Sequence, residues 1–238
     1  MISPLLRGDH HVHSTFSDDA VSTLADNVAA AHAVGLVELR LVDHVRRSTT
    51  WVPEFVAAVR ELDVPDGLAV RTGVEAKILD ASGGLDIPAL PEGIDRILIA
   101  DHQFPSGDGP LSPREVLARM HAGWAPEDVL DIYVAALIAV MERHPGNQLA
   151  HCFSLLPKIG IDESAVGAER LRAWAQAAAR TDTVVEVNDK WACPAPAALA
   201  VARERGVQLV AATDSHDAAT VGRYSEVPVL LARSEAPS

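Results

Sequence analysis

Short apolar runs alternate along this chain with longer segments of helical periodicity. Most of the runs are continuous enough to be buried on both faces of a sheet. This alternation is typical of parallel strands joined by helical crossovers. Together with strand-like ends near His13 and His151, it predicts an α/β fold of about seven strand–helix units. The clearest predicted strands cover residues 36–42, 68–74, 96–100, 183–187 and 207–212.

Helix signals fall between the predicted strands. Ser22 and Thr23 precede an apolar stripe that stops at Gly35, so a cap, a helix and a glycine terminator follow in order. No repeat of fixed period and no linker composition interrupts the pattern, and we expect one domain over residues 1–238. Further helices are predicted over 126–144, 169–180 and 196–205, and Gly/Pro-rich surface loops over 80–93 and 105–113.

Composition restricts the functions that suit this chain. Its 238 residues include 20 Lys and Arg against 33 Asp and Glu, for a formal net charge of −13. Phosphate backbones are held mainly by clustered Lys and Arg, so we expect no stable nucleic-acid partner. No apolar run reaches the roughly 18 residues that a membrane span needs, and two cysteines, Cys152 and Cys193, are too few for a disulfide framework. We therefore expect a cytoplasmic protein without a membrane partner.

Histidines and carboxylates recur where the predicted strands end. His11 and His13 are separated by one residue, so alternation along a strand turns both rings to the same side. In a barrel of parallel strands the C-terminal strand ends converge on one face, where residues distant in sequence meet. Imidazole and carboxylate are the ligand set for Zn²⁺, Mn²⁺ or Fe²⁺. The segments are Asp9-His10-His11-Val12-His13, Ser17-Asp18, Asp43-His44, Gly73-Val74-Glu75, Asp101-His102, His151 and Asp214-Ser215-His216.

This ordered set resembles the polymerase and histidinol phosphatase (PHP) family from about residue 9 to about residue 222. The resemblance implies a distorted seven-stranded (β/α)7 barrel of the TIM-like, PHP type, which agrees with the strand count above. It also implies a metal-dependent phosphoesterase with a trinuclear centre.

Carried over residue by residue, the family pattern implies three divalent metal ions per chain, Zn, Mn or Fe. A glycine usually follows the Ser-Asp pair in the family, and this chain has Asp19-Ala20 there instead. The alternation of side chains along a strand turns His10 away from His11 and His13. The implied ligands are His11, His13, Glu75 and Asp214 for one ion, Glu75, His102 and His151 for a second, and Asp18, His44 and His216 for a third. The implied catalytic residues are His11, His13, Glu75, Asp214 and His216.

The expected mechanism follows from the charges. Two cations that share Glu75 would lower the pKa of a bridging water toward neutrality and present hydroxide to phosphorus. The third would neutralise phosphate oxygens and the leaving alkoxide. Polar side chains behind the ligands orient imidazole N–H groups in such sites. The candidates for this role are Asp43, Asp101, Glu186 and Asn188.

The expected substrate is a small phosphorylated metabolite, cleaved by a histidinol-phosphatase-like phosphomonoesterase. Trp191 is a candidate for stacking on a substrate ring, and equally for a place in the core or rim. Basic residues close to predicted ligands or strand ends are candidates for binding the phosphate: Arg46, Lys77, Lys158, Lys190 and Arg223.

Three other functions are compatible with the same motifs. A nuclease or nucleotide phosphodiesterase would use the same centre, although the acidic balance disfavours long nucleic acid. A binding module would use its cations only to hold the barrel closed, whereas bridged sites with open positions usually do chemistry. A metallohydrolase acting on a carbon–nitrogen or lactone bond would need few basic side chains for binding phosphate. The pattern leaves the metal, the substrate and the oligomeric state open.

Overall fold

A barrel of parallel strands organises this chain, whose computed structural model describes residues 3–235. The ends of the predicted domain, residues 1–2 and 236–238, lie outside the described residues. The strands are β1 (Gly8–Val12), β2 (Glu38–Val45), β3 (Ala69–Lys77), β4 (Arg96–Ala100), β5 (Phe104–Ser106), β6 (Gly109–Leu111), β7 (Gln148–Ala150), β8 (Val184–Asn188) and β9 (Leu209–Ala212). In chain order, β1–β4 and β7–β9 form one seven-stranded parallel sheet. The predicted seven-stranded α/β barrel is therefore confirmed.

The barrel closes between β1 and the chain that follows β9, a joint that we call the seam. The His13 backbone N–H donates to the Ser215 carbonyl at 2.8 Å, and the Ser215 N–H donates to the His11 carbonyl at 3.3 Å. The buried Asp9 carboxylate accepts hydrogen bonds from the backbone and the hydroxyl of Thr213, at 2.9 and 2.6 Å. These bonds replace a regular strand ladder, so the seam is the least extensively paired joint of the barrel.

Helices cover the outside of the barrel. At the first of them, Thr23 Oγ1 accepts the Asp26 N–H at 3.2 Å and the Thr23 N–H donates to the Asp26 carboxylate at 2.9 Å, a capping box. None of the helices within residues 3–235 has the length and apolarity that a membrane crossing requires. The helices are α1 (Leu24–Ala33), α2 (Val52–Arg60), α3 (Pro113–His121), α4 (Pro126–Arg143), α5 (Leu155–Lys158), α6 (Gly167–Arg180), α7 (Pro196–Glu204) and α8 (Val227–Ser234).

The predicted strands and helices lie within three residues of the observed ones. The loop predicted over 80–93 contains no named helix or strand. The loop predicted over 105–113 is wrong, because β5 and β6 pair there as an antiparallel hairpin. Pro105 and Pro110 lie opposite each other in this hairpin. Proline has no backbone N–H to donate, but it is tolerated in edge strands, and both strands of a two-stranded sheet are edges. The prolines therefore indicated a loop in the sequence where the structure has two short strands.

Inside the barrel, an apolar layer separates two polar ends. Val42, Leu98, Ala100 and Ala150 form a small hydrophobic core of their own. Side chains two residues apart on a strand share a face, so β2 places polar residues on both sides of Val42 along the interior. The C-terminal strand ends carry the histidines and carboxylates, and the N-terminal ends carry a second polar group of residues.

Candidate metal centre

Residues at the two sides of the seam bring three ligand-type side chains together. His11 Nε2 lies 2.9 Å from His13 Nε2. Asp214 Oδ1 lies 4.0 Å from His11 Nε2 and 3.5 Å from His13 Nε2. All three side chains are buried, and their ligand atoms lie within 4.8 Å of one another. Two imidazole nitrogens this close beside a carboxylate fit a shared cation.

Glu75 lies at the middle of the histidines. Its Oε2 is 3.6 Å from the Nε2 atoms of both His11 and His13. Its Oε1 is 3.2 Å from His102 Nε2 and 2.9 Å from His151 Nε2. Glu75 Oε2 is buried and receives no well-directed hydrogen bond. A buried carboxylate with imidazole nitrogens around both of its oxygens fits a ligand shared between two cations.

A third group of nitrogens lies nearer the surface and consists of His13, His44 and His216. His44 Nδ1 is 2.8 Å from Glu75 Oε2, which connects this group to the central carboxylate. The Asp19 carboxylate completes it, with Oδ2 at 3.4 Å from His44 Nε2 and 3.3 Å from His216 Nε2. The structure therefore places Asp19, and not the predicted Asp18, in contact with these two imidazoles.

Asp18 is exposed on the cavity wall. Within residues 3–235, no histidine, lysine or arginine nitrogen lies within 4.0 Å of its carboxylate. The reason is a tight turn after β1, in which the Ser17 N–H donates to the Ser14 carbonyl and the Ser17 hydroxyl donates to Asp43 at 2.6 Å. This turn directs Asp19 back over the histidines. The prediction of Asp18 comes from the family pattern, which does not specify the course of this turn.

Carboxylates behind the histidines fix their orientation. Glu186 Oε2 lies 3.0 Å from His11 Nδ1, and Asn188 Nδ2 donates to Glu186 Oε1 at 2.6 Å. Asp101 Oδ1 lies 3.2 Å from His151 Nδ1. Hydrogen bonds at Nδ1 leave Nε2 of both rings free to face the centre. The predicted supporting residues Asp101, Glu186 and Asn188 thus contact the ligands directly or through one neighbour.

Two supporting contacts differ from expectation. Asp43 accepts the Ser14 N–H at 2.9 Å and the hydroxyls of Ser14 and Ser17, so it shapes the turn before Asp19 more than it orients a histidine. The Tyr133 hydroxyl donates to the Asp101 carboxylate, a contact absent from the sequence prediction. Tyr133 lies on α4 within an apolar stripe, where its periodicity indicates only a core position.

Burial disfavours the charged forms of the side chains in this cluster, and neighbouring groups offset that effect for some of them. Burial raises the pKa of Glu75, but nearby imidazoles, His102 foremost, bring it well below its usual range. Burial lowers the pKa of His151, but hydrogen bonds to Asp101 and Glu75 raise it to about 10. Burial lowers the pKa of His13 to about 3, which keeps that imidazole neutral. The ionised Glu75 and the neutral His13 are in the protonation state that metal ligation requires, whereas His151 would have to lose a ring proton when a cation binds.

The centre opens into a cavity of about 380 Å³. Of the five predicted phosphate-binding residues, Arg46, Lys77 and Lys190 line it. Lys158 and Arg223 are not among the described residues on its wall. The Lys158 Nζ instead lies 3.7 Å from the centre of the Trp191 ring, and Arg223 is exposed elsewhere. The cavity thus combines a floor of candidate metal ligands with a wall that carries three basic side chains.

The loop after β8 forms one side of this cavity. The Trp191 indole N–H donates to Asp214 Oδ2 at 2.8 Å, on the carboxylate oxygen that faces away from His13. Lys190 Nζ lies 3.4 Å from the same oxygen. Asp189 anchors the loop by accepting three successive backbone N–H groups, from Ser225 to Val227. Trp191 therefore positions a candidate ligand, and one face of its ring is covered by Lys158.

Glu163 anchors the other end of this loop and predicts a dependence of stability on pH. Its Oε1 accepts the Ala195 N–H at 2.7 Å, and burial raises its pKa from 4.5 to about 7. The folded protein therefore binds the Glu163 proton more tightly than the unfolded chain does. The stabilisation that this difference provides is complete below about pH 4.5 and is lost as the pH rises through 7. Glu163→Gln should remove a pH-dependent loss of about 2 kcal/mol between pH 5 and 8.

Urea unfolding at several pH values measures this effect. The exposed Glu169→Gln is the matched control and should keep the wild-type dependence. If Glu163→Gln and wild type lose the same free energy of unfolding over this range, Glu163 is not the group responsible.

Comparison with known proteins identifies the family of this chain. Residues 9–190 match the family described as PHP domain. The chain belongs to the PHP domain family. Among curated relatives of this PHP chain, a "probable phosphatase" of Enterobacter sp. strain 638 is 27% identical over 94% of this chain and 84% of its own length. A "probable phosphatase" of Shewanella sediminis is 28% identical over 96% of this chain and 86% of its own.

A solved structure supports the same fold. It is the histidinol phosphate phosphatase of Lactococcus lactis, complexed with zinc, L-histidinol and phosphate. The TM-score is 0.68 at 19% identity, and the match covers 97% of this PHP chain and 94% of that one. At this identity the likeness establishes the PHP barrel, not the substrate.

Proposed function

We propose that this metal-dependent hydrolase removes phosphate from a small phosphomonoester at the Glu75 centre. The observation that carries the proposal is one buried carboxylate surrounded by five imidazoles at the floor of an open cavity. Closed structural metal sites leave no open position, whereas this floor faces a cavity of about 380 Å³. That volume suits a metabolite better than a polymer.

Three divalent cations fit the donor groups of this chain. We assign the first to His11, His13, Glu75 and Asp214, and the second to Glu75, His102 and His151. The third falls to Asp19, His44 and His216, where Asp19 replaces the Asp18 of the sequence prediction because of its distances to the two imidazoles. Zinc is one suitable ion, and the same donors accept manganese or iron.

When bound, divalent cations activate water and neutralise phosphate charge. The chain itself does the rest of the positioning. Glu186 and Asp101 accept hydrogen bonds from Nδ1 of His11 and His151, and so hold the Nε2 lone pairs toward the centre. Lys190, on the cavity wall, supplies a fixed positive charge for a phosphate oxygen. Glu186 and Asp101 are buried away from bulk water, which strengthens their hydrogen bonds to the two imidazoles.

A substrate panel tests the proposal. Protein loaded separately with Mn²⁺ and with Zn²⁺ is assayed on phosphomonoesters, histidinol phosphate among them, and on phosphodiesters, single-stranded DNA, lactones and amides. We expect turnover of at least one phosphomonoester, with His13→Ala purified in parallel as the control for contaminating phosphatases. Turnover of only a diester, DNA, a lactone or an amide would contradict the proposal and support the corresponding alternative.

The Trp191 contact predicts an effect on metal affinity. Trp191→Phe keeps an aromatic ring beside Lys158 but removes the N–H that holds Asp214 Oδ2. Losing such a support typically weakens metal binding by about 10-fold or more. Competition with a chelating dye measures the affinity, and Trp124→Phe, in contact with Phe104 away from the centre, is the matched control. Equal affinities for the two variants would mean that Asp214 needs no support from Trp191.

A further inference from the structure

A second polar cavity lies at the N-terminal mouth of the barrel, on the far side of the apolar layer. It measures about 300 Å³. Arg40 on β2 precedes His44 by four residues, which places this cavity about 13 Å from the histidines along the strand. The charged and titratable residues on its wall are His10, Glu38, Arg40, Arg71, Asp95 and Arg96.

Arg40 is the most buried cation of this mouth, at 5% exposure. Its Nη1 donates to the Thr72 carbonyl at 2.7 Å, while its Nε–H is buried without a hydrogen-bond partner. Among residues 3–235, no carboxylate oxygen lies within 4.0 Å of a guanidinium nitrogen of Arg40 or Arg96. Buried charges are ordinarily paired, so an unpaired buried guanidinium points to an anion from outside the chain.

The two acidic residues of the mouth are engaged with other partners. Glu38 Oε1 lies 3.8 Å from Arg71 Nε. Asp95 Oδ2 accepts the Thr72 N–H at 2.8 Å and the Thr72 hydroxyl at 3.2 Å. Both carboxylates attract Arg40 and Arg96 from a distance, but neither forms a close ion pair with them.

Gly73 on β3 makes room for the buried arginine. A Cβ at Gly73 would lie 3.2 Å from Arg40 Cδ and 3.0 Å from both Leu98 and Val42, so a side chain there would crowd all three. Arg40 and Arg96 come from the strands on either side of β3. Burial, followed by repulsion from Arg96, lowers the pKa of Arg40 to about 10, and the Asp95 and Glu38 carboxylates offset this lowering only in part.

His10 joins this mouth because β1 is irregular. The pairing of β1 with β2 shifts between Asp9 and Val12. His10 therefore lines the lower cavity while the next residue, His11, belongs to the metal centre. Its Nδ1 is buried without a hydrogen-bond partner, a second polar atom in this mouth that lacks one.

We propose that this mouth binds a small inorganic oxyanion of the phosphate and sulfate class, held by the guanidinium groups of Arg40 and Arg96. Guanidinium groups present paired N–H donors that match the oxygens of such anions. The site is separate from the metal centre and does not depend on the proposed function.

Thermal unfolding of the full chain in sodium phosphate, at ionic strength held constant with sodium chloride, tests the proposal. Wild type should gain about 3–6 °C in Tm at saturating phosphate. Arg96→Gln should lose most of that gain, whereas Lys190→Gln, which removes the charge proposed to bind phosphate at the other mouth, should lose only the smaller part that arises at the metal centre. No gain in wild type, or a gain that Lys190→Gln loses and Arg96→Gln keeps, would overturn the proposal.

Selenate-soaked crystals of the wild-type protein provide a measurement that does not depend on a variant folding. Anomalous density between Arg40 and Arg96 is expected. Density confined to the metal centre, or none at all, would mean that these arginines only close the barrel.

Discussion

Replacing Glu75 with glutamine is expected to abolish metal loading and hydrolysis together. The substitution keeps the shape of the side chain but removes the negative charge that lies within 3.6 Å of nitrogens from five imidazoles. A neutral amide is a weak bridge between cations, which then repel one another. We expect kcat/KM to fall by at least about 10³-fold, or about 4 kcal/mol of transition-state stabilisation.

Two measurements check this prediction. Elemental analysis after desalting should find less metal in Glu75→Gln than in wild type, and kinetics on the best phosphomonoester give the loss of activity. Glu61→Gln, exposed at the end of α2, is the matched control and should leave both unchanged. A folded Glu75→Gln protein with full metal content and normal turnover would remove Glu75 from the mechanism.

Asp19→Asn and Asp18→Asn should differ strongly, although the two residues are neighbours and both are exposed. Asp19 Oδ2 lies 3.4 and 3.3 Å from imidazole nitrogens of His44 and His216, and Asp18 has no such contact among the described residues. If Asp19 holds the third cation as proposed, removing its charge should lower kcat/KM by about 10²-fold, because that cation would bind weakly. Asp18→Asn should stay within about threefold of wild type.

Metal titration separates this effect from a change at the surface. Asp19→Asn should recover part of its activity at high metal concentration, since the loss is one of affinity. The opposite order, with Asp18→Asn the more damaged variant, would return the third ligand to the position that the sequence motif indicated.

Much of the fold and of the centre was predictable because the decisive signals are local. Apolar runs locate parallel strands, and residues at the ends of parallel strands must converge. Glu75, His102 and His151 come from three different strand ends and lie together as predicted. None of these positions depends on the course of a loop.

The placements that the sequence did not specify are those where long-range contacts decide the geometry. The Asp19 position depends on a turn that Ser17 and Asp43 hold from two separate segments, so spacing within one segment cannot specify it. Lys158 is near a predicted ligand in sequence, yet it stacks on Trp191. The register shift in β1 that turns His10 toward the other mouth leaves no mark in the order of polar and apolar residues.

The seam couples the stability of the barrel to its chemistry. His11 and His13 lie on one side of this joint, and Asp214 and His216 follow the strand on the other. Under the proposed assignment, one ion is bound by residues from both sides of the seam, that is, from β1 and from the chain that follows β9. Each ion bound only by the folded state adds stability as its concentration rises. Chelation should therefore loosen the barrel first at this joint, where amide hydrogens would exchange fastest.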